Sequence, residues 1–249
     1  MSGVVGSVIG FVATSGEPIM WCGRGFGNSV RREIRRAIAR PMQHGLYSGM
    51  PRRSTHREIE IKLRIADVPQ LVAKIRRLGA ACEGRVFEEN TLYDTPGENF
   101  RRSGRLLRIR IETPARSALL AAGKARAVIT SKSPAPAAAR SRYKEKLERE
   151  LPVQSPRKWP GALRSLGFRP GFCYEKYRTT FRLPGLHLDL DETPVGTYLE
   201  LEGSPRAIDR TARTLGFSPR DYIRGTYWDV FQADCRRRGR FAKNMRFRT

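Results

Sequence analysis

The chain has 249 residues, 39% hydrophobic and 9% aromatic, enough for one large domain or two small ones with a modest core. Lys and Arg number 48 against 24 Asp and Glu, a formal charge of +24, which excludes an acidic disordered chain; no run of about 18 apolar residues occurs, which excludes a helical membrane span. The charge is uneven: residues 1–57 and 236–249 carry +7 each, leaving +10 on residues 58–235, where acids and bases mix. Such a body suits a polyanion held together with metal ions at least as well as it suits DNA.

In chain order, the first ~50 residues are Gly- and Arg-rich and show no sustained periodicity. The apolar stretch Val4–Ala13 is short and lacks a basic lead, so it makes a poor signal peptide. Residues 1–56 are expected to be a disordered or artefactual basic extension, and 57–249 the domain. Helices are predicted over Val68–Leu78, Pro156–Leu166 and Pro205–Leu215, each ending in Leu-Gly, where Gly79, Gly167 and Gly216 suit the left-handed position past a helix end. A fourth is predicted over Tyr222–Arg237. Thr113–Gly123 and the Ala/Pro/Ser-rich Ser133–Ser141 read as loops, the second as a mobile hairpin connection. Cys22, Cys82, Cys173 and Cys235 lie far apart with no metal-spaced partner, the pattern of reduced thiols in a cytoplasmic protein.

The strand-like segments show an unusual alternation. In a strand every second side chain shares a face. Over 58–65, Glu58, Glu60, Lys62 and Arg64 oppose Ile59, Ile61, Leu63 and Ile65. Over 107–112, Arg108, Arg110 and Glu112 oppose three aliphatics, and over 176–183 Lys176, Arg178 and Arg182 oppose Tyr177, Phe181 and Leu183. His187, Asp189 and Asp191 oppose leucines, as do Glu200 and Glu202; Lys144, Lys146, Glu148 and Glu150 share a face that opposes a less regular one, broken by Arg149. For one strand this is an ordinary solvated face. Across six, the nearly all-charged faces point to a barrel with charge inside, its apolar outer face covered by the Leu-Gly helices. A lumen of that kind is prohibitive unless it holds water, metal and ligand. Carboxylates at i, i+2 suit hard oxygen-loving cations such as Mg²⁺ or Mn²⁺, and interleaved Arg and Lys suit phosphate oxygens. No Walker loop occurs.

Glu58-x-Glu60-x-Lys62 resembles the E-x-E-x-K signature of CYTH domains, the triphosphate tunnel metalloenzymes. Further resemblances follow in order: Leu92-Tyr93-Asp94-Thr95-Pro96, Leu107-Arg108-Ile109-Arg110, Ile129-Thr130-Ser131-Lys132, Lys146-x-Glu148-x-Glu150, Lys176-x-Arg178, and Leu190-Asp191 through Glu200-x-Glu202. Together they span about 58–247. Two positions depart from the pattern: Lys146 stands where Arg is usual, losing a bidentate fork, and Ser131 and Ser133 flank Lys132 where an aromatic and a Gly are frequent.

The resemblance implies an α+β fold built on an eight-stranded antiparallel barrel, open at both ends, with helices outside. It implies Glu58, Glu60, Asp191, Glu200 and Glu202 as metal ligands, with Glu148 and Glu150 as further ligands or positioners of water. Lys62, Arg108, Arg110, Lys132, Lys146, Lys176 and Arg178 would clamp the triphosphate, and Glu58, Glu60 and Lys62 form the catalytic core. Asp189 and His187 read as hydrated neighbours, and Tyr93 as packing. The implied activity is a divalent-metal enzyme on triphosphates: a class IV adenylate cyclase-like lyase making cyclic AMP and pyrophosphate from ATP, or else a tripolyphosphatase or a thiamine or nucleoside triphosphatase. A non-catalytic polyphosphate- or RNA-binding module stands as a further alternative. Expected partners are ATP or another triphosphate, with no membrane, nucleic acid less favoured, and a homodimer left open.

Overall fold

The computed structural model describes residues 56–115, 125–136, 141–154 and 156–248. The expected extension, save for its last residue, lies outside the described residues, as do 116–123 and 137–140 of the two expected loops. Eight antiparallel strands form the body: β1 (His56–Ile65), β2 (Ala81–Asp94), β3 (Leu106–Pro114), β4 (Arg126–Pro134), β5 (Lys144–Val153), β6 (Arg169–Leu183), β7 (Leu186–Thr193) and β8 (Gly196–Gly203). They close in the order β1-β5-β4-β3-β2-β6-β7-β8. Closure leaves no free sheet edge and gives every strand an inner and an outer face.

The helices are α1 (Val68–Arg77), α2 (Asn99–Arg102), α3 (Trp159–Ser165), α4 (Pro205–Leu215) and α5 (Tyr227–Arg237). Gly79, Gly167 and Gly216 take φ of 76°, 87° and 97°, the left-handed conformation that the Leu-Gly ends require. Asp67 and Ser204 cap α1 and α4 through Gln70 N and Ala207 N. The helix expected over Pro156–Leu166 opens with a 3₁₀ turn, and regular helix starts only at Trp159. The one expected from Tyr222 begins five residues later, because Thr226 and Asp229 form a capping box there. Before it, Ile223 exchanges backbone hydrogen bonds with Lys62 of β1. The short α2 was not anticipated. It hangs on Asp94, whose carboxylate accepts from the backbone of Thr95, Phe100 and Arg101.

The outer face is apolar and covered, as the alternation requires. Ile61, Leu63, Leu188, Leu199 and Leu201 bury against Leu71 and Ile75 of α1 and Ile208, Ala212 and Leu215 of α4. Each such side chain contributes about 1.5–3 kcal/mol. On the opposite side α3 lays Trp159, Ala162 and Leu163 over Leu107, Ile109, Ile129 and Tyr93. The last helix differs. α5 packs Tyr227 and Phe231 on Phe172, Tyr174 and Tyr198, residues of inward-facing parity on β6 and β8. Where the resemblance implies a barrel open at both ends, α5 therefore covers part of one end.

Candidate active site

The inward faces enclose a cavity of about 740 Å³. Register sets its levels: Glu60 pairs with Lys144 and Glu202, Lys62 with Glu200, Glu88 with Lys176, Arg108 with Thr130, and Lys132 with Glu148. All seven expected clamp cations line the cavity, as do Glu58, Glu60, Glu148, Glu150, Glu200 and Glu202. Asp191 does not. It is wholly buried behind the wall, Oδ1 accepting from Arg178 Nε at 2.7 Å and Oδ2 from Lys176 at 2.7 Å, Arg178 Nη2 at 2.6 Å and the Tyr227 hydroxyl at 2.6 Å.

On the β6–β8 side the charges form a continuous network. Arg178 reaches Asp191, Asp189 Oδ2 at 2.8 Å and Glu200; Lys62 meets Glu200 at 2.9 Å; and Lys176 meets Glu88 at 3.5 Å. Burial alone would raise the pKa of Glu88, but Lys176, Arg178, Arg110 and Arg108 outweigh it and hold the group well below the carboxylate range. Burial likewise acts to raise Glu60, and Lys144 at 2.6 Å leads the cations that bring it down to about 2.

On the β3–β5 side Arg110 pairs with Glu88, Glu112 and Glu150, and Lys132 with Glu58 and Glu148, but among the described residues two cations have no carboxylate in contact. Arg108 is buried, yet no carboxylate stands within ion-pair distance among the described residues. Its Nη1 and Nη2 donate to the hydroxyls of Tyr174 and Thr130, both at 3.2 Å, and Nε has no partner. Lys146 donates to the Gly104 carbonyl at 2.9 Å, and burial together with Lys144 and Lys132 pulls its pKa down. A buried cation with no carboxylate in contact leaves donor capacity unused, and phosphate oxygens would take it up.

Glu58 shows the converse deficit. Burial, then Glu60, push its pKa up to about 8 although Lys132 stands 2.5 Å from Oε1; Glu148 adds to the rise, and Oε2 is buried without a partner. With most lumen carboxylates drawn to basic side chains, no three ligand groups converge among the described residues. The donor set still fits a hard divalent cation. It is all oxygen, and Glu58 presents a free buried lone pair beside Glu60 and Glu148.

Several positions of this charged network are not singled out by the sequence. Glu88 is wholly buried at the heart of the network, but the run Glu88-Glu89-Asn90 hides the alternation of β2. Lys144 shares the charged face of β5 but lies outside the segment that resembles the family pattern, which begins at Lys146; it neutralises Glu60. Asp189 is more than a hydrated neighbour, since it pairs with Arg178 and accepts from Thr180 at 2.7 Å. Tyr227 was legible only as part of a helix. Its ring lies under Lys62 Nζ at 4.4 Å and Lys176 Nζ at 4.9 Å. Tyr93 packs beneath α3, as expected of it.

Among solved structures, a candidate adenylate cyclase from Vibrio parahaemolyticus superposes with a TM-score of 0.60 at 17% identity, covering 72% of this chain and 99% of its own. A Pyrococcus horikoshii protein gives 0.59 at 23% identity, with coverage of 71% and 98%. A Hippeastrum protein, named both as a candidate adenylyl cyclase and for a dominant triphosphatase activity, gives 0.50 at 19%, with coverage of 74% and 97%. At these identities the likeness shows the fold alone. A search of curated proteins finds no match. The profile of the CYTH domain matches residues 56–227, most of the chain, and together with the closed barrel and its charged lumen it establishes that this chain belongs to the CYTH domain family, whose enzymes act on triphosphates with divalent metals.

Proposed function

We propose that the chain is a divalent-metal-dependent adenylate cyclase of class IV type, converting ATP to cyclic AMP and pyrophosphate within the lumen. The observation that carries the reading is Arg108, a buried guanidinium with no carboxylate in ion-pair contact among the described residues, in a cavity also lined by the other six clamp cations. Arg108, with Lys132 and Lys146, would hold the phosphates. Lys62, Lys176 and Arg178, held in place by their carboxylates, would present N–H donors to the oxygens of the leaving pyrophosphate. Glu58, Glu60 and Glu148 would hold Mg²⁺ or Mn²⁺, which supplies charge neutralisation and activation of the attacking oxygen. The ribose 3′-oxygen bonds to the α-phosphorus, the bond to the β-phosphate oxygen breaks, and the hydroxyl proton passes to a lumen carboxylate.

A triphosphatase is the second reading. The clamp grips phosphates irrespective of what they carry, and the Hippeastrum neighbour is named for such an activity. Incubating the full chain with Mg²⁺ or Mn²⁺ and ATP, tripolyphosphate or thiamine triphosphate, then separating the products by chromatography, decides between them. Cyclic AMP and pyrophosphate, abolished by chelator, are the expected products. Orthophosphate from tripolyphosphate or thiamine triphosphate, with ATP untouched, would replace the cyclase by the hydrolase. Turnover indifferent to chelator would overturn both.

A further inference from the structure

The match to the family stops at residue 227, and the chain runs on past α5 into the segment Phe241-Ala242-Lys243-Asn244-Met245-Arg246-Phe247. That segment is tied to the barrel. β7 pairs with β6 from Tyr177 onward, so the β6 backbone around Glu175 is open on that side, and the segment fills it. Met245 N donates to the Cys173 carbonyl at 3.0 Å, Glu175 N to the Met245 carbonyl at 2.9 Å, and Cys173 N to Asn244 Oδ1 at 2.9 Å. The Met245 side chain is buried among Phe172, Tyr174 and Tyr227, and Phe247 N donates to Glu175 Oε2 at 3.0 Å. These ties fix the place of the residue just before them.

That residue is Lys243, and it lines the same cavity as the clamp. It is exposed, and its Nζ has no hydrogen bond or ion pair among the described residues. Arg108 and Lys146 line this cavity too, one held by hydroxyls and the other by a carbonyl. Cations on β3, on β5 and on the C-terminal segment thus face one space, each without a carboxylate in contact among the described residues. Like charges gathered in one cavity repel, and a polyanion lying among them turns that repulsion into attraction. An ammonium is a compact donor on a flexible stem, so a lysine at the rim can follow a phosphate oxygen without the fixed geometry that a guanidinium fork demands.

We propose that Lys243 is a further substrate-binding residue, which donates from the C-terminal segment to an oxygen of the phosphate chain held by Arg108. This rests on the proposed triphosphate site and adds to it a residue from outside the region that the family shares. The lumen site of this chain is then incomplete without the segment that follows α5.

The test is calorimetric titration of imidotriphosphate in Mg²⁺ into the full chain, for wild type, K243Q, K243R and R108A, at about 0.1 M and about 0.5 M salt. K243Q is expected to weaken binding roughly fivefold, the scale of one partly exposed charge-assisted hydrogen bond, with K243R within about twofold of wild type. The loss should persist at the higher salt, because a contact at hydrogen-bond range lies inside the screening length. Unchanged affinity in K243Q would overturn the proposal. So would a loss that vanishes at the higher salt, which would make Lys243 only part of the long-range field of the basic exterior, and so would K243R as weak as K243Q. If wild type binds no imidotriphosphate, or R108A binds it as well as wild type does, the triphosphate site itself falls and the role of Lys243 with it. If R108A weakens binding and K243Q does not, the site stands and the role of Lys243 alone falls.

Discussion

The two sides of the lumen hold the same residue types and differ in how far their charges are answered. Along β6, β7 and β8 nearly every charge has an opposite within reach: Arg178 alone touches Asp189, Asp191 and Glu200, and Lys176 ties Asp191 to Glu88. Across the barrel Arg108 has only hydroxyls, Lys146 has a carbonyl, and Glu58 keeps an unpartnered oxygen. A satisfied network stiffens a barrel, and an unsatisfied one awaits a ligand. Charge composition alone cannot separate the two.

Mutations break this comparison in decreasing order of effect. Arg178→Ala removes the guanidinium that bridges three carboxylates and leaves Asp189 without a cation, a change worth about 3–5 kcal/mol, and should lower Tm by roughly 10 °C in a thermal melt. Arg108→Ala removes a cation that makes no ion-pair contact with a carboxylate among the described residues. It should leave Tm within about 2 °C while reducing turnover about 100-fold, in the range for a lost electrostatic contact in a transition state. A melt as poor as that of Arg178→Ala would erase the distinction between the sides.

Glu58→Gln sharpens the comparison through pH. The folded-state pKa of about 8 lies above the ordinary 4.5, so ionising this group opposes folding, and metal-free stability declines as pH rises from 4.5 to 8. Glu60 behaves oppositely: held at about 2, it stabilises above 4.5, and that contribution is lost as pH falls toward 2. Melts in chelator should therefore show Glu58→Gln more stable than wild type by several degrees at pH 8 and equal to it at pH 4.5, with metal-dependent turnover abolished. The smallest effect is expected of Lys146→Arg. It restores a fork at the mouth and should lower KM two- to threefold with kcat unchanged.

Much of the barrel was legible because alternation survives wherever one face is charged and the other aliphatic, as in 58–65 and 186–191. β2 was illegible beyond residues 92–96, since Glu88-Glu89-Asn90 gives polar residues to both faces and bulges interrupt its register. α2 escaped notice because its start is fixed by Asp94 at a distance of several residues rather than by periodicity. Within the site, parity put charges inside but could not say which were already paired. That depends on register between strands far apart in sequence, such as Lys132 against Glu58 and Lys62 against Glu200. Tyr227 depends on tertiary docking of α5 and leaves no pattern in the chain.

The most direct measurement is calorimetric titration of imidotriphosphate into wild type and Arg108→Ala at two salt concentrations. One site per chain, weakened at least tenfold by the substitution and only modestly by salt, is the predicted result. Equal affinity in both proteins, falling steeply with salt, would place the anion on the basic exterior and contradict a triphosphate site in the lumen.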